Sequence, residues 1–183
     1  MIYKKINLRT ATLGVALVGV FSLSAPAQAS DGTITFTGTI TANTCQVEGG
    51  GQNMEVKMPS ISTSALKNDG DTSAASNFAI QLKGCTSTAK TVKLGFEVGP
   101  NVNPSTGRLK LNDGDGVAKN VEIGLYNKDD SAITIGDHGT VQGVTLADGG
   151  GTVMYRAKYV KTGAQAATAG AVNTNVTYSL IYD

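Results

Sequence analysis

Apolar and polar residues alternate with a period of two in one segment of the chain after another. In residues 33–40, Ile34, Phe36, Gly38 and Ile40 fall on one face and threonines fill the other. That alternation in β-favouring residues predicts a strand. Residues 53–58 repeat it, grouping Met54, Val56 and Met58, and residues 77–85 group Phe78, Ile80 and Leu82. Val92, Leu94, Phe96 and Val98 continue the pattern. Further strands are predicted around Leu109 and Leu111, over residues 121–126, 141–146 and 153–161, and finally over 172–183. Between them lie Gly49-Gly50-Gly51, Asn68-Asp69-Gly70-Asp71, residues 112–116 and Gly149-Gly150-Gly151. Such residues tolerate positive φ or hydrogen-bond their own backbone, so they mark turns. Pro100 to Pro104 marks another loop, and the less regular stretch 60–76 has room for a short helical turn. No repeat of fixed period is visible. Many short strands at this spacing predict a β-sandwich.

The N-terminus breaks the pattern. Lys4, Lys5 and Arg9 precede an apolar run from Ala11 to Leu23, and Ala27-Gln28-Ala29 follows. A basic start, a short apolar run and small residues at an A-x-A site describe a secretory signal. Removing the first 29 of 183 residues leaves 154 and takes the net charge from +1 to −2, because three basic residues leave. That length suits one domain with a full core. The apolar run is too short to span a bilayer, and none replaces it later. The balanced charge lacks the basic footprint of a nucleic-acid binder. Hydrophobic residues at 40% and charged ones at 16% fit a globular chain rather than a disordered one.

Candidate chemistry is sparse. Two cysteines, Cys45 and Cys85, remain after the signal. An even pair in an exported chain reads as one disulfide, the alternative being two buried free thiols. Closing that loop stabilises by roughly 4 kcal/mol in the chain-entropy model. There is no CxxC, GxSxG or HExxH. The single histidine, His138, sits in Gly136-Asp137-His138-Gly139, a setting for a surface turn rather than a catalytic base. Asp113-Gly114-Asp115-Gly116 lacks EF-hand spacing and reads as a solvated loop. Asn175-Val176-Thr177 fits a glycosylation sequon inside a predicted strand and reads as structure. The residue pattern therefore predicts no catalytic residue, metal site, cofactor or small-molecule substrate.

The two ends carry the most information. After Ile40, residues 41–45 contain no Gly or Pro to reverse the chain, so the first strand projects away from whatever sheet begins near Cys45. Burying Ile34, Phe36 and Ile40 contributes roughly 5–9 kcal/mol before entropy costs. The backbone N–H and C=O groups also need partners. Addition to another molecule's sheet meets both needs; an edge strand of its own domain is the other reading. At the far end, Val176, Tyr178, Leu180 and Tyr182 alternate with Thr177, Ser179 and Ile181, which predicts a strand tied into a sheet.

In order along the chain, these pieces resemble the chaperone–usher fimbrial subunits of the type 1 major pilin-like family. Residues 32–40, including Gly38, resemble that family's donor strand, and Cys45 and Cys85 its disulfide spacing. Residues 77–85, and 121–126 followed by 133–136, resemble its inner strands. Tyr155, Ala157 and Tyr159 resemble its aromatic-Ala-aromatic strand. Gly170, fourteenth from the end, and the penultimate Tyr182 match its C-terminal motif.

The resemblance implies an all-β fold, an incomplete immunoglobulin-like β-sandwich completed by a donor strand from a neighbouring subunit. It divides the chain into a signal at 1–29, a donor extension at 30–43 and a pilin domain at 44–183. Ile34, Phe36, Gly38 and Ile40 are then the inserted face. Gly170, Val176, Tyr178, Leu180 and Tyr182 line or border the acceptor groove and serve recognition by chaperone and usher. The implied partners are neighbouring pilin subunits, a periplasmic chaperone and an outer-membrane usher, with export through the periplasm to a surface fimbria that supports cell adhesion. The competing reading is a secreted β-sandwich that binds carbohydrate or protein without polymerising. Absent Trp and 5% aromatics leave few residues to stack on sugar rings. An adhesin's extra N-terminal domain has no room here, and an intact donor strand argues against a terminating subunit.

Overall fold

The structure is a computed structural model that describes residues 32–38, 40, 44–48, 53–86 and 90–183. The expected signal, the Gly49-Gly50-Gly51 turn and residues 41–43 lie outside these. The chain divides into two units, residues 1–39 and 40–183. In the first unit, residues 32–38 are exposed and form no strand; Ile34 is 81% and Phe36 90% exposed. The alternation that predicts a strand is present, but residues 33–38 join no sheet.

The second unit holds ten strands among the described residues: β1 Thr44–Val47, β2 Ser76–Thr86, β3 Thr91–Phe96, β4 Val102–Asn103, β5 Arg108–Lys110, β6 Val121–Asn127, β7 Ala132–Ile133, β8 Val144–Thr145, β9 Gly151–Lys161 and β10 Tyr178–Tyr182. They form two sheets. The larger runs β1-β2-β9-β6-β5-β4, with β7 also on β6, and the smaller runs β10-β3-β8. Every strand pair is antiparallel. A single 3-10 turn, Thr63–Ala65, capped by the Ser62 side chain, occupies the irregular stretch. Asp148 and Gly149, with φ of 50° and 74°, make a two-residue turn into β9. Ala147 and Gly150 exchange both backbone bonds across it, at 2.9 and 3.0 Å.

The core lies between the sheets. Ile80, Leu82, Ile123, Leu125, Val153 and Ala157 face Val92, Leu94 and Phe96. Tyr155 on β9 ties the layers together. Its hydroxyl donates to the Gln142 carbonyl at 2.9 Å and accepts from the Leu94 N–H at 3.2 Å. Its ring meets Phe96 edge-on at 5.4 Å and Phe78 at 5.9 Å. Burial raises its hydroxyl pKa. Asn127, 1% exposed, anchors the 138–142 loop: its amide donates to the Thr140 carbonyl at 2.8 Å and its oxygen accepts from the Gln142 N–H at 2.8 Å. Cys45 and Cys85 form a disulfide between β1 and β2.

Several predicted strands are shorter than the alternation implies. Residues 53–58 belong to no sheet. The 92–98 pattern ends at Phe96, and Val98 is 72% exposed as the chain enters the Pro100 loop. Only Val144–Thr145 of 141–146 and Tyr178–Tyr182 of 172–183 pair as strands. Side-chain alternation records which face is buried; pairing also requires a neighbouring strand, and parts of these segments lack one.

Candidate interaction groove

The shortened segments border the same opening. Residues 53–58 form one wall of a groove of about 820 Å³ and residues 172–180 the other. Phe78, Ile80, Leu94, Phe96, Leu109, Ile123, Leu125 and Ala157 supply its floor. These are core side chains of both sheets, so the groove opens directly into the interior of the sandwich.

Local bonding explains why the C-terminal wall stands in place without being a full strand. One edge of it is anchored. The carbonyls of Ala171, Asn173 and Thr177 accept from the N–H groups of Ala118, Asn112 and Glu97 at 3.0, 2.8 and 2.9 Å. Thr174 Oγ1 donates to the Lys110 carbonyl at 2.7 Å, and Asn101 Nδ2 donates to Asn175 Oδ1 at 2.8 Å. Asn175 is thus a structural residue. The alternation then continues outward: Val172, Val176, Tyr178 and Leu180 are half-buried while Ala171, Asn173, Asn175 and Thr177 are exposed. On the opposite wall, Val56 and Met58 are half-buried against the core and Met54 is exposed. Both segments turn alternate apolar side chains into the groove, an arrangement suited to an extended segment with alternating apolar side chains. Burial raises the Tyr178 hydroxyl pKa.

Val176, Tyr178 and Leu180 line the groove. Tyr182 does not. Its hydroxyl accepts the Cys45 N–H at 2.8 Å, tying the end of β10 to the disulfide. Gly170 lies in an adjoining depression lined also by Pro59, Ile61, Ala118 and Tyr159. A Cβ there would overlap the Ala118 nitrogen and the Gly116 carbonyl oxygen. Gly170 therefore allows the parallel bridge between Val117 and Ala171. Ile34, Phe36 and Gly38 belong to the first unit and Ile40 to the second, where it is fully exposed. Gly38 has open space where a side chain would go. The sequence reading missed Met54, Val56 and Met58 as the second wall, although their alternation was its signal. His138 sits half-buried in a 3-10 turn, His138–Thr140, and Asp113 and Asp115 are exposed. Among the described residues no three His, Cys, Asp or Glu side chains are grouped to hold a metal ion.

The sequence profile of a family described as fimbrial protein matches residues 34–183. The fimbrial protein FimX of Bordetella pertussis is 36% identical over 200 residues, covering 95% of this chain and 98% of that protein. The type-1 fimbrial protein A chain of Escherichia coli is 28% identical, covering 96% of this chain and all of that protein. Among solved structures, a chain of a chaperone–usher pilus, studied for how its rod uncoils, superposes with a TM-score of 0.60 at 27% identity, covering 84% of this chain and 96% of that one.

Proposed function

This chain belongs to the fimbrial protein family and is a structural subunit of a surface fimbria; we propose that it polymerises by inserting residues 33–40 of one copy into the groove of the next. The open groove between residues 53–58 and 172–180 carries this reading. Eight extended residues span about 26 Å, and the nine residues of the C-terminal wall span at most about 30 Å. The inserted strand completes the sandwich, with Ile34, Phe36 and Ile40 facing the floor and Val176, Tyr178 and Leu180 alongside. Gly38 fits where the groove is too shallow for a side chain.

An incomplete sandwich exposes apolar surface and an unpaired edge, a liability for folding and solubility. A periplasmic chaperone occupies the groove first, and an outer-membrane usher exchanges its strand for that of the incoming subunit. No nucleotide or cofactor is required, because filling the groove supplies the driving force. Recognition by chaperone and usher falls on the groove-lining Val176, Tyr178 and Leu180, with Tyr182 and Gly170 holding the ends of that wall.

The test is a gel of protein sheared from the host surface, run in SDS with and without boiling. Wild type gives a ladder that collapses to monomer only on heating. Gly38→Leu gives monomer and no ladder. Normal fibres from Gly38→Leu remove the register assignment, and a monomer from wild type in both lanes removes strand-linked polymerisation.

A further inference from the structure

The groove holds two of the three methionines among the described residues. Met54 and Met58 both line it, and Met54 is 38% exposed. Met154 is comparably exposed at 43%, but it sits on β9 opposite Ala79 and does not line the groove. Methionine suits an adaptable wall, because its unbranched, polarizable side chain fills irregular gaps. The same thioether is chemically vulnerable where solvent reaches it.

We propose that Met54 and Met58 form an oxidation-sensitive modification site, converted to sulfoxides by a peroxide while the groove is open, after which the groove accepts a strand poorly. This rests on the strand-insertion reading above. The sulfur lone pair attacks a peroxide oxygen; the S–O bond forms as the O–O bond breaks. Sulfur loses two electrons, and hydrogen peroxide is reduced to one water, its leaving hydroxide taking the proton from the transferred hydroxyl. The thioether becomes a polar, chiral sulfoxide in a wall that an inserted strand must cover. Covering that dipole in a groove whose lining includes Val56, Phe78 and Val176 carries a desolvation cost the thioether does not, and so opposes insertion. A strand already in place covers both sulfurs, so sensitivity is confined to the subunit before assembly.

The test exposes monomer, released from sheared fibres by denaturant and refolded, and intact fibres to hydrogen peroxide in parallel. Mass spectrometry then counts sulfoxide at each methionine. Met54 and Met58 are expected to oxidise at least about tenfold more slowly in fibres, while Met154 oxidises equally in both. A fluorescent peptide of residues 32–41 is expected to bind oxidised monomer at least about tenfold more weakly than untreated monomer. Methionine sulfoxide reductase restores binding, and in M54L/M58L, whatever its starting affinity for the peptide, peroxide is expected to change that affinity by less than about twofold. If the double variant folds poorly, M54L and M58L are compared singly, and each is expected to lose part of the peroxide effect. Undiminished binding by oxidised monomer overturns this inference and leaves strand insertion standing. So does equal peroxide damage to peptide binding in M54L/M58L. Failure of untreated monomer to bind the peptide overturns the insertion reading and this inference with it.

Discussion

The sandwich is closed at Tyr155 and open beside Val176. At the closed position one side chain reaches from the larger sheet to the smaller, makes two hydrogen bonds to backbone and packs two aromatic rings. At the open position the floor is equally apolar, with Leu94, Phe96 and Ile123 beneath, and both walls alternate correctly. The open seam is therefore not a region of poor sequence. It lacks a strand. Side chains close a sandwich where two sheets face each other, but only backbone fills the space between two edges.

Breaking the closed side has the largest expected effect. Tyr155→Ala removes the ring and both hydrogen bonds and should cost about 4–6 kcal/mol, read by denaturant unfolding with the groove filled by the 32–41 peptide. A loss under about 1 kcal/mol would mean the sheets are held elsewhere. Removing the disulfide with Cys45→Ser and Cys85→Ser should cost about 4 kcal/mol in the same assay. It should also loosen the end of β10, because the Tyr182 hydroxyl bonds to the Cys45 N–H. Faster amide exchange at residues 178–182 checks that second consequence.

The open side is sharpened by a smaller change. Gly170→Ala forces a Cβ into the backbone of residues 116–118 and should cost about 1–3 kcal/mol. Because Gly170 sits outside the groove, affinity for the 32–41 peptide should fall less than in Val176→Asp. Equal loss in both variants would place Gly170 in the binding surface itself.

Acid supplies the mildest test. Burial alone would raise the Glu122 pKa, but hydrogen bonds from Arg108, Asn103 and Thr106 outweigh it and hold the carboxyl below its usual value. Hydrogen bonds from Gln142 and Ser131 hold Asp129 at about 2. A carboxyl depressed in the folded state stabilises it above the unfolded pKa, about 4, and that contribution disappears as pH falls through the folded value. Glu122→Gln should lower the thermal midpoint at pH 7 by about 2–4 °C, the equivalent of about 1 kcal/mol, with the gap closing towards pH 2. Asp129→Asn should show the same convergence. A gap constant from pH 7 to 2 would show that neither carboxyl titrates with folding.

Much of this molecule is legible in local pattern. The alternation in residues 77–85 and 153–161 became the long central strands β2 and β9, because both have neighbours along their length. The same alternation in 53–58 and 172–177 produced walls without strands, because among the described residues no strand pairs with them. Tyr182 and Gly170 carry a second lesson. Position in a motif marked both as important, but only three-dimensional placement shows one bonded to Cys45 and the other making room for residues 116–118.

By itself the sequence determined the all-β class, the cysteine pair, the alternating faces and the apolar extension at 33–40. These depend on side-chain period and residue chemistry, which are local properties. Tertiary structure decided which alternating segments pair, that Tyr155 bridges the layers, and that Met54, Val56 and Met58 face the C-terminal wall across an open seam. Those facts join residues distant in the chain, such as Leu94 with Tyr155 and Met54 with Val176, and no local period encodes which distant edge lies opposite.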